Sequence, residues 1–135
     1  MLRYLIAYVA TAVVFLACDS IWLSRAIGFY KEALGDLIAD KPNLAAAAVF
    51  YPLYVLGIVV LVVMPANRNG GWQSALFLGG MLGLVAYATY DLTNLATLSR
   101  WSIRVTVVDM AWGTIVTAIA SLAGFFAVGM ITTDP

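Results

Sequence analysis

Three aspartates stand inside otherwise apolar stretches of this chain, at Asp19, Asp91 and Asp109. Carboxylates in a membrane-like medium are costly, and they normally face a bundle interior or a wet cavity where they bind, carry protons or do chemistry. Polar and aromatic neighbours gather around them. Tyr87, Tyr90 and Asn94 flank Asp91, Trp112 lies one helical turn from Asp109, and Arg100 and Arg104 fall between the two. Carboxylates drawn into one low-dielectric pocket repel each other, so they share protons or hold a cation. A protonated member serves as general acid or proton carrier, while an all-oxygen cluster suits Mg²⁺ or Ca²⁺. The candidate catalytic set is therefore Asp91 and Asp109, with Asp19 third. Tyr87, Tyr90, Asn94 and Trp112 are candidate ligand-binding residues. Arg100 and Arg104, at the mouth, could receive a lipid phosphate or neutralise the acids. No metal follows from these residues alone.

Other chemistries are excluded by what the chain lacks. It contains no histidine, which removes His-ligated haem, His-ligated zinc and a histidine general base. Cys18 is the one cysteine; it cannot form an intramolecular disulfide, and without a histidine to activate it, it reads as a packing residue. Seven basic and seven acidic side chains balance, and no Lys/Arg cluster exists to neutralise a run of phosphates, so nucleic acid is not an expected partner.

The elements that must position the aspartates are membrane helices. The chain is 64% hydrophobic and 10% charged over 135 residues, with a mean hydropathy of +0.97. A soluble domain is about a quarter charged. At about 20 residues per crossing, the length allows four spans in one domain. The apolar pattern predicts spans over residues 2–23, 44–64, 73–98 and 104–131. Residues 1–18 resemble a secretory signal ending at Cys18. The apolar run continues through Ile21, Trp22 and Leu23, and Phe15 and Leu16 are bulky for a cleavage site, so a retained first span is expected.

Residues 25–41 hold six of the fourteen charges, while Ile27, Tyr30, Leu34, Leu37 and Ile38 recur at helical spacing. That pattern predicts an interfacial amphipathic helix between spans one and two. Pro42 ends it, Asn43 caps the next span, and the stretch Pro65 to Gly71 reads as a turn. The expected architecture is thus an all-α, integral membrane four-helix bundle with one interfacial helix. Arg25, Lys31, Lys41, Arg100 and Arg104 oppose Arg3 and Arg68 across it. The positive-inside rule then places both termini outside the cell and the first and third loops in the cytoplasm.

Because the helices alternate in direction, Asp19, Asp91 and Asp109 come to one side of the membrane. Asp91 lies roughly 10 Å before the end of its helix and Asp109 roughly 8 Å after the start of its own. A four-and-three alternation puts Gly80, Gly83, Tyr87, Tyr90, Asn94 and Thr97 on one seam with Asp91 at its shoulder. Any one of these acids suits structural polar glue as well as function. Three at one depth favour function. The four tryptophans mostly fit an interfacial aromatic belt, with Trp112 alone expected at the pocket.

The string Tyr90-Asp91-Leu92-Thr93-Asn94-Leu95-Ala96-Thr97-Leu98, then Trp101 and Asp109-Met110-Ala111-Trp112-Gly113, resembles the small bacterial membrane proteins of domain-of-unknown-function family 2177. Asp19-Ser20-Ile21-Trp22-Leu23 fits the same resemblance, which covers nearly the whole chain. It implies a four-span protein of the bacterial inner membrane and transfers no activity. The leading expectation is an acidic intramembrane site that binds or acts on a lipid or small amphipathic molecule, with membrane lipids as partners. Two other classes stand beside it. One is a non-catalytic accessory subunit of a larger membrane complex. The other is a proton-coupled transporter, which with four spans would need a homo-oligomer.

Overall fold

The structure, a computed structural model, describes residues 1–132. The polar end expected at Thr133, Asp134 and Pro135 lies outside the described residues. Among those described, every regular element is helical: α1 (Leu2–Leu34), α2 (Leu44–Ile58), α3 (Gly71–Thr97) and α4 (Ile103–Thr132). A 3-10 turn at Gly35–Leu37 follows α1, and π-helical segments at Val59–Val63 and Ala66–Gly70 extend α2. Three continuous helical runs, Leu2–Leu37, Leu44–Thr97 and Ile103–Thr132, are long and apolar enough to cross a membrane.

The separate helix expected over residues 25–41 is not formed. α1 continues through Ser24 and Arg25 to Leu34 as one helix of 33 residues. The polar residues that looked like an interruption are absorbed. Asp19 is on the buried face, and the Ser24 hydroxyl bonds back to the Ile21 carbonyl at 2.8 Å. No proline stands in the way. The stop comes at Gly35, whose φ of 55° lets its N–H reach the Lys31 carbonyl, a conformation that favours glycine at a helix C-terminus.

The turn expected at Pro65 to Gly71 is also mostly helical. Asn67 donates from its amide to the Val63 carbonyl at 2.9 Å, and the π-helical winding runs to Gly70. The reversal is concentrated at Gly71, with φ of 70°. Pro52 sits inside α2 without ending it, and its carbonyl accepts from the Tyr8 hydroxyl at 3.2 Å. Asn43 caps α2, its side-chain oxygen accepting from Ala46 N at 3.1 Å.

α4 is central. Small residues allow the other helices to approach it closely. A Cβ at Gly79 or Gly83 would run into Ser121 or into the Gly113 carbonyl and Thr117, one at Gly113 into the Tyr87 ring, and one at Gly124 into Thr11. Gly80, expected on the contact seam, has ordinary clearance of 3.6 Å to Thr114. The buried row of α3 is instead Ala75, Gly79, Gly83 and Asp91, and that of α1 is Ala7, Thr11, Phe15 and Asp19. The α1 row advances by fours, and the α3 row does so with half-buried Tyr87 between Gly83 and Asp91, the i±4 ridge of a helix surface. Each of these rows ends in an aspartate.

The pairings fix direction. Residues 11 and 19 of α1 face 124 and 112 of α4, and residues 79 and 87 of α3 face 121 and 113, so both helices run against α4. Tyr54 bonds Thr117 at 2.9 Å while Val63 lies against Gly124, so α2 runs with α4. Within the run Leu44–Thr97 the chain therefore turns back on itself around Gly71.

Candidate functional site

Asp19, at the end of the α1 row, stands on the wall of a cavity, and Asp91, at the end of the α3 row, is off that wall. About 500 Å³ opens between all four helices, toward the end that carries the Gly35–Leu37 turn and residues 98–102. Its polar wall comes from Asp19 and Tyr30 on α1, Tyr51 on α2, Tyr87 and Tyr90 on α3, and Asp109 on α4. Its apolar wall includes Leu23, Ile27 and Leu34 of α1, with Ile38 and Phe50 beyond. Ile27, Tyr30, Leu34 and Ile38, expected on the apolar face of an interfacial helix, thus supply one side of a pocket.

Asp19 is held from two helices. The Tyr51 hydroxyl donates to its Oδ2 at 2.6 Å, and Trp112 Nε1 donates to its Oδ1 at 3.1 Å. The Trp112 ring stacks on Trp22, with centroids 4.5 Å apart and planes 7° from parallel. Trp22 Nε1 donates to the Tyr30 hydroxyl at 2.9 Å, and that hydroxyl in turn donates to Asp109 Oδ1. A continuous polar and aromatic chain therefore joins Tyr51, Asp19, Trp112, Trp22, Tyr30 and Asp109.

Asp91 is different. It is 0% exposed, and neither of its carboxylate oxygens has a hydrogen-bond donor. The carboxyl that acts on it is Asp109, across the α3–α4 contact. Asp91 is absent from the cavity wall and stands behind Asp109. The three acids do not merge. Asp91 and Asp109 form a pair, Asp19 lies beyond the tryptophans, and among the described residues no three acidic or cysteine side chains come together to hold a metal ion.

Of the expected ligand-binding residues, Tyr87, Tyr90 and Trp112 line the cavity. Tyr87 packs its ring on Gly113, and Tyr90 meets Trp101 edge-to-face at 5.6 Å. Asn94 does not line it; its carbonyl accepts from Leu98 N at 2.9 Å, closing the end of α3. The two arginines go elsewhere. Arg100 pairs with Asp36 at 3.2 Å on the exposed surface, and Arg104 lies 5.6 Å from the Phe29 ring centroid. Neither reaches the acids or the cavity wall, because the extension of α1 brings them nearer partners.

Tyr30 and Trp22 carry little signal in the sequence. Tyr30 falls on an apolar face, where its hydroxyl goes unmarked, and Trp22 fits an interfacial belt. The usable sign was that an unbroken α1 keeps Asp19, Trp22 and Tyr30 at spacings of three and eight, near one face.

No curated protein and no solved structure matches the chain. A family model does match, over residues 4–126, and its description is that of a predicted membrane protein. Apolar helical runs long enough to cross a bilayer agree with that description, and the match covers most of the chain. This protein belongs to the membrane-protein family DUF2177.

Proposed function

We propose that this protein is a four-span membrane bundle that holds a lipid or small amphipathic molecule in an acidic pocket near the cytoplasmic leaflet. The observation that carries this reading is the cavity of about 500 Å³ whose lining combines carboxylates and tyrosine hydroxyls with aliphatic and aromatic residues. A pocket of that size and mixed lining suits a molecule with one polar end and one apolar end. Asp109 and Asp19 face the polar end, where each can accept a hydrogen bond or a proton, and Asp91 backs Asp109. Such paired carboxyls have the chemistry of a general acid and base.

Four crossings are supported by length. The run Leu44–Thr97 has 54 residues, about 80 Å of helix at 1.5 Å per residue, against a hydrocarbon core of about 30 Å. The reversal at Gly71 divides it into two spans. The cavity lies at the end bearing Arg25, Lys31, Lys41, Arg100 and Arg104, which the positive-inside rule assigns to the cytoplasm, leaving both ends of the chain on the other side of a bacterial inner membrane. The charged last turns of α1 then lie at the interface.

Mass spectrometry of molecules extracted from the purified protein tests the pocket. A copurifying amphiphile is expected from the wild type, reduced at least tenfold in Asp109→Asn and in Ala86→Trp, which fills the cavity from α3. A wild-type protein that carries nothing, or an unchanged load in both variants, rejects the reading.

A further inference from the structure

The pocket's charge is all of one sign. Asp19 and Asp109 are the charged side chains on its wall, and no lysine or arginine joins them. Two arginines expected at its mouth are engaged elsewhere, Arg100 with Asp36 and Arg104 with Phe29. An anionic head group such as a phosphate would meet two carboxylates and no cation.

Behind that wall the imbalance deepens. Tyr51 and Trp112 supply donors to Asp19, and Tyr30 supplies one to Asp109. Asp91 has none although it is fully buried. Buried carboxylates are ordinarily compensated by a donor or an opposite charge, because leaving them bare is expensive. What faces it is the Asp109 carboxyl, with which it can share one proton, and a positive charge entering the cavity would meet that pair from the Asp109 side. A bare metal ion is a poor fit, since among the described residues no three acidic or cysteine side chains converge.

The remaining wall is aromatic. Trp22, Tyr87, Tyr90, Trp101 and Trp112 contribute to it. Aromatic surrounds beside carboxylates are the chemistry that recognises ammonium groups, through the negative face of each ring.

We infer that the head group taken by this pocket is an ammonium cation, carried on an apolar tail that lies along Leu23, Ile27, Leu34 and Phe50. The inference rests on the pocket holding an amphiphile at all. Both can be tested in one titration, following tryptophan fluorescence of the full chain in maltoside micelles. The titrants share one twelve-carbon tail and differ in head: dodecyltrimethylammonium, dodecylphosphocholine, dodecylglycerol and dodecyl phosphate.

The expected result is saturable quenching by dodecyltrimethylammonium at a concentration at least tenfold below that of dodecylglycerol or dodecyl phosphate. Asp109→Asn should abolish the difference. If phosphocholine matches the simple ammonium, a lipid head group is the source; if it does not, a free amine is, and either supports the cation. Equal binding of the neutral and cationic heads overturns the ammonium assignment and leaves the amphiphile pocket standing. No saturable binding by any titrant overturns both. Quenching by Mg²⁺ or Ca²⁺ alone, lost in Asp109→Asn, replaces the ammonium with a metal ion. The ranking in the wild type decides the matter even if the variant fails to fold.

Discussion

At the scale of single residues, the three aspartates are chemically distinct although the sequence presents them alike. Asp19 ties three helices together by accepting from Tyr51 and Trp112. Removing it strands two half-buried donors, whose bonds are each worth roughly 0.6 to 1.7 kcal/mol between membrane helices. Asp19→Ala should therefore lower stability by about 1–3 kcal/mol, read as a lower midpoint in thermal denaturation in detergent. Asp91 has the opposite sign. Its oxygens are buried and face the Asp109 carboxyl alone, so an apolar side chain of similar size removes a desolvation cost and a repulsion between carboxyls for the loss of at most one shared proton. Asp91→Leu is expected to raise the thermal midpoint while weakening ligand binding; a lowered midpoint would mean that Asp91 has a structural partner. Such a trade of stability for function is common at sites that must keep an uncompensated group. The presence of these acids was legible in the sequence, because a carboxylate in an apolar run stands out. Their partners were not. Hydrogen bonds such as Tyr30 to Asp109 cross 79 residues of chain, and a tyrosine's hydroxyl is invisible to a hydrophobic pattern that counts only its ring.

At the scale of elements, the fold depends on rows of small residues spaced by four. Gly79 and Gly83 bring α3 against α4 so closely that a single methyl at Gly83 would enter the Gly113 carbonyl. Backbone cannot yield as a flexible side chain does, so Gly83→Ala should cost about 1–3 kcal/mol by overpacking. Gly57→Ala is the control, since nothing lies within 4 Å of its added Cβ; it should be neutral or gain up to about 1 kcal/mol from helix propensity. Chemical or thermal denaturation of the two variants side by side separates packing from propensity, and equal effects would refute the close contact. The helical class and the apolar helices followed directly from composition and period. Two features did not. An alternation of four and three fits the α3 sequence as well as a strict four does, and only the partner surface of α4 selects the latter. The charged stretch after Ser24 has the composition of a separate interfacial helix, yet a chain without proline or an adverse glycine between residues 19 and 34 has no local reason to break. The stacking of Trp22 on Trp112 and the hydrogen bond from Tyr30 to Asp109 then hold it against α4.

At the scale of the whole molecule, connectivity across the bilayer is decided by one residue. The helical run Leu44–Thr97 is unbroken by winding and yet pairs with α4 in both directions, and Gly71 with its positive φ is where the direction changes. If the run crosses twice, residues 41 and 99 share one side of the membrane and residue 69 lies on the other. If it crosses once, residues 41 and 99 lie on opposite sides. Single cysteines at Lys41→Cys, Asn69→Cys and Ser99→Cys, each in a Cys18→Ala background, distinguish these with an impermeant maleimide on intact cells. Asn69→Cys should label without permeabilisation, whereas Lys41→Cys and Ser99→Cys should label only after it. The proposed orientation rests on five basic residues at the cavity end against Arg3 and Arg68 at the other. Labelling of 41 and 99 from outside with 69 protected would keep four spans and invert the orientation, turning the pocket to the outer leaflet. Opposite labelling of 41 and 99 would remove the fourth span. It would also break the pocket, because Tyr51 from the first half of the run and Tyr87 from the second can line one cavity only if the chain doubles back between them.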